Sequence, residues 1–398
     1  MAETIFNLEE KLFFRTYKRL SLDIVRGEGA YLYARDGKRY LDFFGGLAVN
    51  ALGYSHPRVN KAILDQVRKY IHLSNYYVQD PQVKLAEKLL AATGFQRIFF
   101  SNSGTEAIEG AIKLARKWGS KNGKTQLLGL SNSFHGRTMG ALSLTERQKY
   151  REGYEPFLPN VSHVGYNDVD GLRASVNQQT LGVVLEFIQG EGGIFVASPA
   201  FVGALKELRE KFGFLIIADE IQSGIGRTGK FFAFEHFDLR PDIVVLAKAI
   251  GGGLPLGAFL GNERVAEVLT YGAHGTTFGG NPVACAAGVA VLEEVLQNGL
   301  MKKAGEIGEH LKAEFLKLQS TFPRLIRAVR GIGCMLGVDL TRDGQPIVDE
   351  LQNRGFLVNC THNTVLRFLP PFIVTSENCD ELVGSLGDVL SGLGRSRP

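Results

Sequence analysis

The chain has few cysteines and no pair of thiols at a zinc-binding spacing. Only four cysteines occur among 398 residues, and no two of them form a Cys-x-x-Cys arrangement: Cys285, Cys334, Cys360 and Cys379. Their separation indicates neither a disulfide framework nor a structural zinc site, so free thiols are expected. The eight histidines are equally scattered, and we expect no bound metal.

The sequence also lacks long runs of like charge and long apolar runs. Lysine and arginine number 45 against 41 acidic residues, and no long run of like charge occurs, which argues against a nucleic-acid partner. No segment approaches the roughly 20 apolar residues that cross a bilayer, so we expect no membrane partner. Glu3, Glu9 and Glu10 fit neither a secretory signal nor a transit peptide. We therefore expect a cytoplasmic protein.

Glycine, by contrast, is abundant, and the overall composition is that of a packed globular protein. The length predicts one large domain and one smaller domain. From about Thr93 onward, short β-rich runs alternate with helical patterns, which is typical of an α/β protein with a mostly parallel sheet. The predicted elements are strands at Arg97–Ser101, Gln126–Leu130, Leu181–Glu186, Phe214–Asp219 and Ile243–Leu246, and helices around Glu106–Trp118 and Ala200–Lys211, the second capped by Ser198.

The two ends of the chain have a different pattern. Two β-rich runs, Ala30–Ala34 and Arg39–Phe43, predict a hairpin around the turn pair Asp36-Gly37. After Asn281-Pro282 the pattern becomes helical again, and strands are predicted at Gly331–Leu340 and Thr364–Phe368. We expect the ends, residues 1–45 and 282–398, to combine into a smaller α+β domain beside a large domain of residues 46–281.

A glycine pattern raises the alternative of a dinucleotide-dependent oxidoreductase. Gly224-Ile-Gly226-Arg-Thr-Gly229 matches GxGxxG shortly after a predicted strand. The residues that follow, from Lys230 onward, do not resemble the helix that should receive a pyrophosphate. We interpret the stretch as a glycine-rich loop of an active site.

A second strand-to-helix junction is a better candidate for binding an anion. Ser103 and Glu106 form an S-x-x-E capping box, which predicts a helix start after the strand that ends at Ser101. Small residues there leave backbone N–H groups open, and the helix dipole favours an anion. Ser103, Gly104 and Thr105 are therefore candidates to hold a phosphate, with an ordinary cap as the alternative.

Two ionisable residues end apolar strands of the same predicted sheet. Asp219 needs a cationic partner if it is buried, and either a protonated pyridine nitrogen or a structural ion pair would meet that need. Lys248 follows the run Ile243–Leu246, and an apolar setting favours the neutral amine that forms a Schiff base. The alternative is a lysine whose amine reaches solvent. Because a candidate phosphate site and an acid end strands of the same sheet, we favour the Schiff-base role.

These residues belong to six motifs that resemble those of the class III aminotransferases, which have fold type I and use pyridoxal 5'-phosphate. The likeness extends from Arg26 to Phe368. The motifs are Asn102-Ser-Gly-Thr-Glu-Ala107, Phe134-His-Gly-Arg-Thr138, Gln189-Gly-Glu-Gly-Gly193, Asp219-Glu-Ile-Gln222, Lys248-Ala-Ile-Gly-Gly-Gly253 and Thr276-Thr-Phe-Gly-Gly-Asn-Pro282. Phe187 and Ile108 depart from the usual pattern, which puts only local loop geometry in doubt.

The resemblance implies a role for each cofactor-binding residue. Lys248 is similar to the lysine that forms the Schiff base and then moves a proton, and Asp219 to the partner of the pyridine nitrogen. Gln222 would lie near the ring hydroxyl, with Phe134 and Ile221 on the two ring faces. Thr277 is similar to a threonine that reaches the phosphate in the neighbouring subunit, which implies a homodimer.

The resemblance also implies two substrates in one site. Arg137 and Arg367 are similar to the arginines that bind substrate carboxylates, and Glu191 to the acid that pairs with Arg367 until 2-oxoglutarate displaces it. The stretch Gly45–Val49 is similar to the acetylornithine branch, because Leu47 stands where ornithine aminotransferases have an aromatic residue. We expect amine transfer from N2-acetylornithine to 2-oxoglutarate, in arginine biosynthesis.

Other donors remain open, namely succinylornithine, ornithine and 4-aminobutyrate. Glutamate-1-semialdehyde aminomutase is less favoured, because it needs no switch for a second acceptor. A relative without catalytic activity is disfavoured, because every catalytic position is filled.

Overall fold

The computed structural model describes residues 5–395, so Glu3 lies outside the described residues. The strands are β1 (Ile24–Glu28), β2 (Tyr31–Ala34), β3 (Arg39–Asp42), β4 (Arg97–Ser101), β5 (Gln126–Leu130), β6 (Val161–Val164), β7 (Thr180–Leu185), β8 (Ile188–Gln189), β9 (Phe195–Val196), β10 (Leu215–Asp219), β11 (Ile243–Leu246), β12 (Gly257–Gly261), β13 (Ile326–Ile332), β14 (Met335–Leu340), β15 (Phe356–Leu357), β16 (Asn359–Thr361) and β17 (Val365–Phe368). The helices are α1 (Ile5–Leu12), α2 (Gly45–Ala48), α3 (Pro57–Val67), α4 (Asp80–Thr93), α5 (Gly104–Asn122), α6 (Met139–Leu144), α7 (Gln148–Arg151), α8 (Val169–Ser175), α9 (Pro199–Phe212), α10 (Pro282–Gln297), α11 (Leu300–Thr321), α12 (Gln345–Asn353) and α13 (Ser376–Arg395). Short 3-10 helices cover Ala233–His236 and Lys248–Gly251.

A seven-stranded sheet forms the centre of the molecule, in the order β4-β12-β11-β10-β7-β5-β6. Only β12 runs antiparallel to its neighbours, so the carboxyl ends of the other six strands meet at one edge. Ligands of α/β proteins bind at this edge, because the loops that follow the strands converge there. The predicted α/β class with a mostly parallel sheet is confirmed.

Both faces of this sheet are buried, which explains why its strands are continuously apolar. On one face, Leu215 and Ile217 of β10 belong to a cluster with Ala107 and Ala111 of α5. On the other face, Ile216 of β10 belongs to a larger cluster that includes α10. The alternation within β10 follows from the two-residue period of a strand.

The predicted strands of this sheet are confirmed, three of them with the predicted bounds. These are β4, β5 and β11, whereas β7 begins and ends one residue earlier than predicted and β10 begins one residue later. Both predicted helices are longer than expected, and Ser198 caps α9 by accepting a hydrogen bond from the N–H of Phe201. Strands and caps depend on neighbouring residues, so the sequence predicts them well.

One strand prediction at the C-terminal end is wrong. The stretch Gly331–Leu340 is not one strand, because β13 ends at Ile332 and turns back into β14, with which it pairs antiparallel. Gly333 makes this turn with a φ of 56°, a left-handed conformation that glycine adopts without strain. The hairpin at Asp36-Gly37 is confirmed as β2 and β3.

The two ends of the chain share a small sheet. Its order is β1-β2-β3-β15, and β15 pairs parallel with β3. A further sheet, β13-β14-β17-β16, contains only C-terminal strands. The division into domains at residues 45/46 and 281/282 stays a prediction.

No single helix within residues 5–395 is long and apolar enough to span a membrane. Only α10 and α11 together, at an angle of 65°, reach that length and composition. All four cysteines are free.

Candidate active site

A cavity of about 440 Å³ opens at the carboxyl edge of the central sheet. Loops that follow β4, β5, β7, β10 and β11 all contribute to its wall, as the parallel topology requires. Most of the predicted site residues line it: Ser103, Gly104, Thr105, Phe134, Arg137, Glu191, Asp219, Ile221, Gln222 and Lys248. Residues from five separate loops therefore converge on one space.

The start of α5 forms one end of the cavity. The Ser103 hydroxyl accepts a hydrogen bond from the N–H of Glu106, so the predicted helix start and its cap are confirmed. The Glu106 carboxylate accepts from the N–H of Asn102 and not from that of Ser103, so the second bond of the capping box is shifted by one residue. A Cβ at Gly104 would lie 2.8 Å from Cδ1 of Ile221. The space beside this helix start is thus kept open by the lack of a side chain.

Three buried ionisable groups, His135, Glu186 and Asp219, form part of the cavity wall. Nδ1 of His135 is 2.7 Å from Oδ2 of Asp219, and the N–H of Ile221 donates to Oδ1 at 3.0 Å. Burial opposes a proton on His135, but the hydrogen bond and the charge of Asp219 outweigh it and raise the pKa of the imidazole. Burial raises the pKa of Glu186 to about 7. The carboxylate of Asp219 is therefore held in place beside the imidazole of His135.

Lys248 lines the same cavity. Its backbone has a φ of 53°, a left-handed conformation that costs a residue with a side chain on the order of 1–2 kcal/mol. Strained backbone of this kind is concentrated at functional sites. Burial lowers the pKa of the Lys248 amine to about 8. The neutral, nucleophilic amine is consequently far more abundant near neutral pH than it is in an ordinary lysine.

An ion pair closes another side of the cavity. Nη1 of Arg367 lies 2.5 Å from Oε1 of Glu191 and 2.8 Å from the carbonyl oxygen of Gly190. Arg367 is only 1% exposed, so this pair is largely desolvated. Burial opposes ionisation of Glu191, but the charge and hydrogen bond of Arg367 outweigh it and lower the pKa of the carboxyl.

A second arginine lies at the exposed rim. The guanidinium carbon of Arg137 is 4.1 Å from the centre of the Tyr150 ring, a cation–π contact, and that ring packs edge-on against Phe134. Arg137 lines the cavity itself, whereas Arg367 lies behind Glu191, which lines the wall. If Glu191 moved aside, two guanidinium groups would face one cavity, an arrangement that suits a substrate with two carboxylates.

Comparison with known proteins explains this arrangement. The family model for aminotransferase class-III matches residues 13–390. The chain belongs to the class-III aminotransferases. The acetylornithine aminotransferase of Methanocaldococcus jannaschii is 44% identical over 98% of this chain and 98% of its own length. That of Aquifex aeolicus is 44% identical over 94% of this chain and 98% of its own length.

Solved structures of the same family match the whole fold. The ornithine aminotransferase of Toxoplasma gondii superposes with a TM-score of 0.94 at 29% identity, and covers 98% of this chain and 95% of its own. The acetylornithine aminotransferase of Elizabethkingia anophelis gives a TM-score of 0.87 at 32% identity, with 97% and 98% covered. Class-III aminotransferases have fold type I and use pyridoxal 5'-phosphate, so the predicted fold type and cofactor are confirmed.

The cavity of this aminotransferase fits that cofactor. The open helix start at Gly104 offers N–H groups to a phosphate, and a Cβ there would fill the space. Asp219 supplies a fixed negative charge, and Nζ of Lys248 makes no hydrogen bond with the described residues. Phe134 and Ile221 also line the cavity.

Thr277 and Leu47 lie outside the wall of this cavity. Thr277 is exposed and lines a separate groove with His274 and Thr276, and its predicted reach into a neighbouring subunit stays a prediction. Val49 lines the cavity, whereas Leu47 is absent from its wall. Leu47 lies within the short helix α2, where Gly46 and Leu47 have left-handed φ angles of 60° and 65°.

The interpretation of Gly224–Gly229 as an active-site loop is also wrong. This stretch does not border the cavity among the described residues; it packs under α10 and α11, where a Cβ at Gly229 would lie 2.9 Å from Gly305. A four-residue 3-10 helix, Ala233–His236, follows it. The long helix that a dinucleotide site requires is not there.

Two residues of the site were missed as candidates. His135 contacts Asp219, and Glu186 is close enough to interact with its charge. In the sequence, His135 follows Phe134 within a motif, and Glu186 ends a predicted strand. A polar residue at the end of a buried strand is a signal that the sequence does contain. What it lacks is any sign that these side chains meet Asp219.

Proposed function

We propose that this chain transfers the terminal amine of N2-acetylornithine to 2-oxoglutarate, giving N-acetylglutamate 5-semialdehyde and glutamate in arginine biosynthesis. The observation that carries the proposal is the buried Glu191–Arg367 pair at the cavity that contains Lys248. While Arg367 is paired with Glu191, the site suits a donor that has no carboxylate near its amine. Once released from Glu191, the same arginine can bind the α-carboxylate of a keto acid. The relatives named acetylornithine aminotransferase support the donor.

The residues that hold the cofactor follow from their positions in the cavity wall. Ser103, Gly104 and Thr105 would bind the phosphate at the start of α5, and Phe134 and Ile221 would cover the two faces of the ring. Gln222 would lie at the ring hydroxyl. When bound, pyridoxal phosphate supplies an electron sink for the carbon that loses a proton.

Two residues carry the chemistry. Asp219, held by His135 and by the N–H of Ile221, would keep the ring nitrogen of the cofactor protonated. Lys248 would hold the cofactor through Nζ, and its amine would move a proton at the substrate carbon that bears the amine. Its pKa of about 8 suits a base that must both accept and return a proton near neutral pH.

Binding of the two substrates is assigned to three charged residues. Arg137 binds the α-carboxylate of the donor, whose amine lies at the far end of the molecule. Glu191 neutralises Arg367 during this half of the reaction. When 2-oxoglutarate enters, its α-carboxylate takes Arg367 and its second carboxylate takes Arg137.

Selection of the donor is assigned to the small apolar wall around Val49. Val49 lines the cavity, and its short apolar side chain suits a donor that carries an acyl group. Ornithine, succinylornithine and 4-aminobutyrate are the competing donors, since all three present a terminal amine.

We also propose that the enzyme is a cytoplasmic homodimer in which Thr277 reaches the phosphate in the partner's site. Several large apolar side chains of the single chain are strongly exposed, which supports a further subunit: Phe14, Tyr76, Tyr77, Val78, Tyr271 and Phe278. Thr277 lies beside the last of these and is itself exposed. The free cysteines are consistent with a reducing compartment.

The test is the visible spectrum of the purified holoenzyme before and after a single amine is added without an acceptor. We expect the absorbance of the lysine-bound cofactor to be bleached much faster by N2-acetylornithine than by ornithine or 4-aminobutyrate. A faster reaction with another amine would overturn the donor assignment alone. A colourless protein that pyridoxal phosphate cannot restore would overturn the assigned cofactor site.

A further inference from the structure

The backbone of the loop that carries Glu191 is fixed from several sides. The carbonyl oxygen of Glu191 accepts hydrogen bonds from Nη1 of Arg147 at 3.0 Å and from Oγ1 of Thr361 at 2.8 Å. The carbonyl oxygen of Gly193 accepts two more from Arg330, at 3.0 and 3.1 Å. Since the carbonyl groups on this loop are held, Glu191 can leave Arg367 only by rotation of its side chain.

A carboxylate that leaves Arg367 needs another cationic partner. Removing one member of a desolvated ion pair leaves an uncompensated charge, which is strongly unfavourable. Burial raises the pKa of Glu191, and the charges of Arg367, Lys248 and Arg147 lower it, so these cations are close enough to act on the carboxylate. Lys248 is committed to the cofactor under the proposed function. Arg147 is then the remaining cation of the three.

Arg147 is available for this role. It is half-buried and forms no ion pair with any residue between 5 and 395, and Nη1 already contacts the main chain of Glu191. Its guanidinium carbon lies 5.4 Å from the centre of the Tyr150 ring, which also contacts Arg137. The side chain is therefore positioned beside Glu191 without being neutralised.

We propose that Arg147 is a positioning residue that receives the Glu191 carboxylate when a substrate carboxylate occupies Arg367. This inference rests on the proposed function, because it assumes that a dicarboxylic acceptor binds where Glu191 was. Arg147 would thereby lower the cost of opening the site to the acceptor and have no part in binding the amine donor.

The decisive experiment measures binding of glutarate to the holoenzyme by calorimetry, because glutarate has two carboxylates and no reactive keto group. We expect Arg147→Gln to weaken glutarate binding about tenfold, because Glu191 then loses its second partner. The same substitution in a Glu191→Gln background should have no effect, since no carboxylate has to move. Lys149→Gln removes a neighbouring charge that also contacts Tyr150, and it should change nothing.

Equal weakening by Arg147→Gln in both backgrounds would overturn the proposal, because Arg147 would then act on the ligand or on the fold directly. Unchanged binding in both backgrounds would overturn it as well. Kinetics supply a second criterion: Arg147→Gln should raise KM for 2-oxoglutarate and leave the reaction with the amine donor unchanged. A wild-type enzyme that cannot use 2-oxoglutarate at all would instead refute the proposed function.

Discussion

Nδ1 of His135 lies 2.7 Å from Oδ2 of Asp219, and both side chains are buried. The second oxygen of Asp219 accepts the N–H of Ile221, so neither oxygen is free to turn away. A carboxylate held in this way needs no rearrangement when a cationic ring nitrogen arrives. Such preorganised charge is the main way in which enzymes stabilise developing charge.

Replacement of Asp219 by asparagine tests this charge. Asp219→Asn keeps the shape and the bond from Ile221, and should slow the chemical step about a hundredfold while substrate affinity changes little. Single-turnover absorbance changes measure the step. Asp242→Asn is the matched control, because Asp242 is buried outside the cavity and should affect stability without slowing chemistry. Equal single-turnover rates for Asp219→Asn and the wild type would contradict the assigned role.

Replacement of Lys248 by alanine tests the covalent anchor. Lys248→Ala should lose the visible absorbance of the bound cofactor and at least about a thousandfold in turnover, because no other amine lines the described cavity. Thermal melting should stay cooperative, because the substitution shortens one side chain and leaves the left-handed backbone of this position as it is. Lys206→Ala, at an exposed ion pair, serves as the control. Normal turnover by Lys248→Ala would remove the lysine from its role.

The pH dependence of cofactor uptake follows from the lowered pKa of Lys248. The neutral amine reacts with the aldehyde, so the rate at which the cofactor-free enzyme combines with pyridoxal phosphate should rise with pH and level off above about 8. Stopped-flow absorbance measures this rate. Pyridoxamine phosphate, which has no aldehyde, should show no such rise. A rate that still increases beyond pH 9.5 would mean that the lysine is unperturbed.

The start of α5 predicts a steric effect on cofactor affinity. Gly104→Ala places a Cβ 2.8 Å from Cδ1 of Ile221, so that either Ile221 or the helix start must shift. We expect pyridoxal phosphate to bind about tenfold more weakly, as measured by fluorescence titration of the cofactor-free enzyme. Gly203→Ala on α9 is the control, because a Cβ there meets nothing within 4 Å and alanine favours a helix. Equal affinities for the two variants would exclude a phosphate at this helix start.

The sequence alone determined the elements that depend on neighbouring residues. Apolar runs with little polar interruption predicted β4, β5 and β11 to the residue, and the S-x-x-E pattern predicted the start of α5. The strand-end positions of Asp219 and Lys248 were also readable, because side chains at the carboxyl ends of parallel strands meet at one edge. Motif order then identified the family.

Only the tertiary structure decided which distant side chains meet. Glu191 and Arg367 are 176 residues apart and His135 and Asp219 are 84 apart, and no local period encodes such pairs. The structure likewise brought Val49 rather than Leu47 to the cavity. The physical reason is that strand order and left-handed turns orient these side chains, and both are set by packing between remote segments rather than by the residues next in the chain.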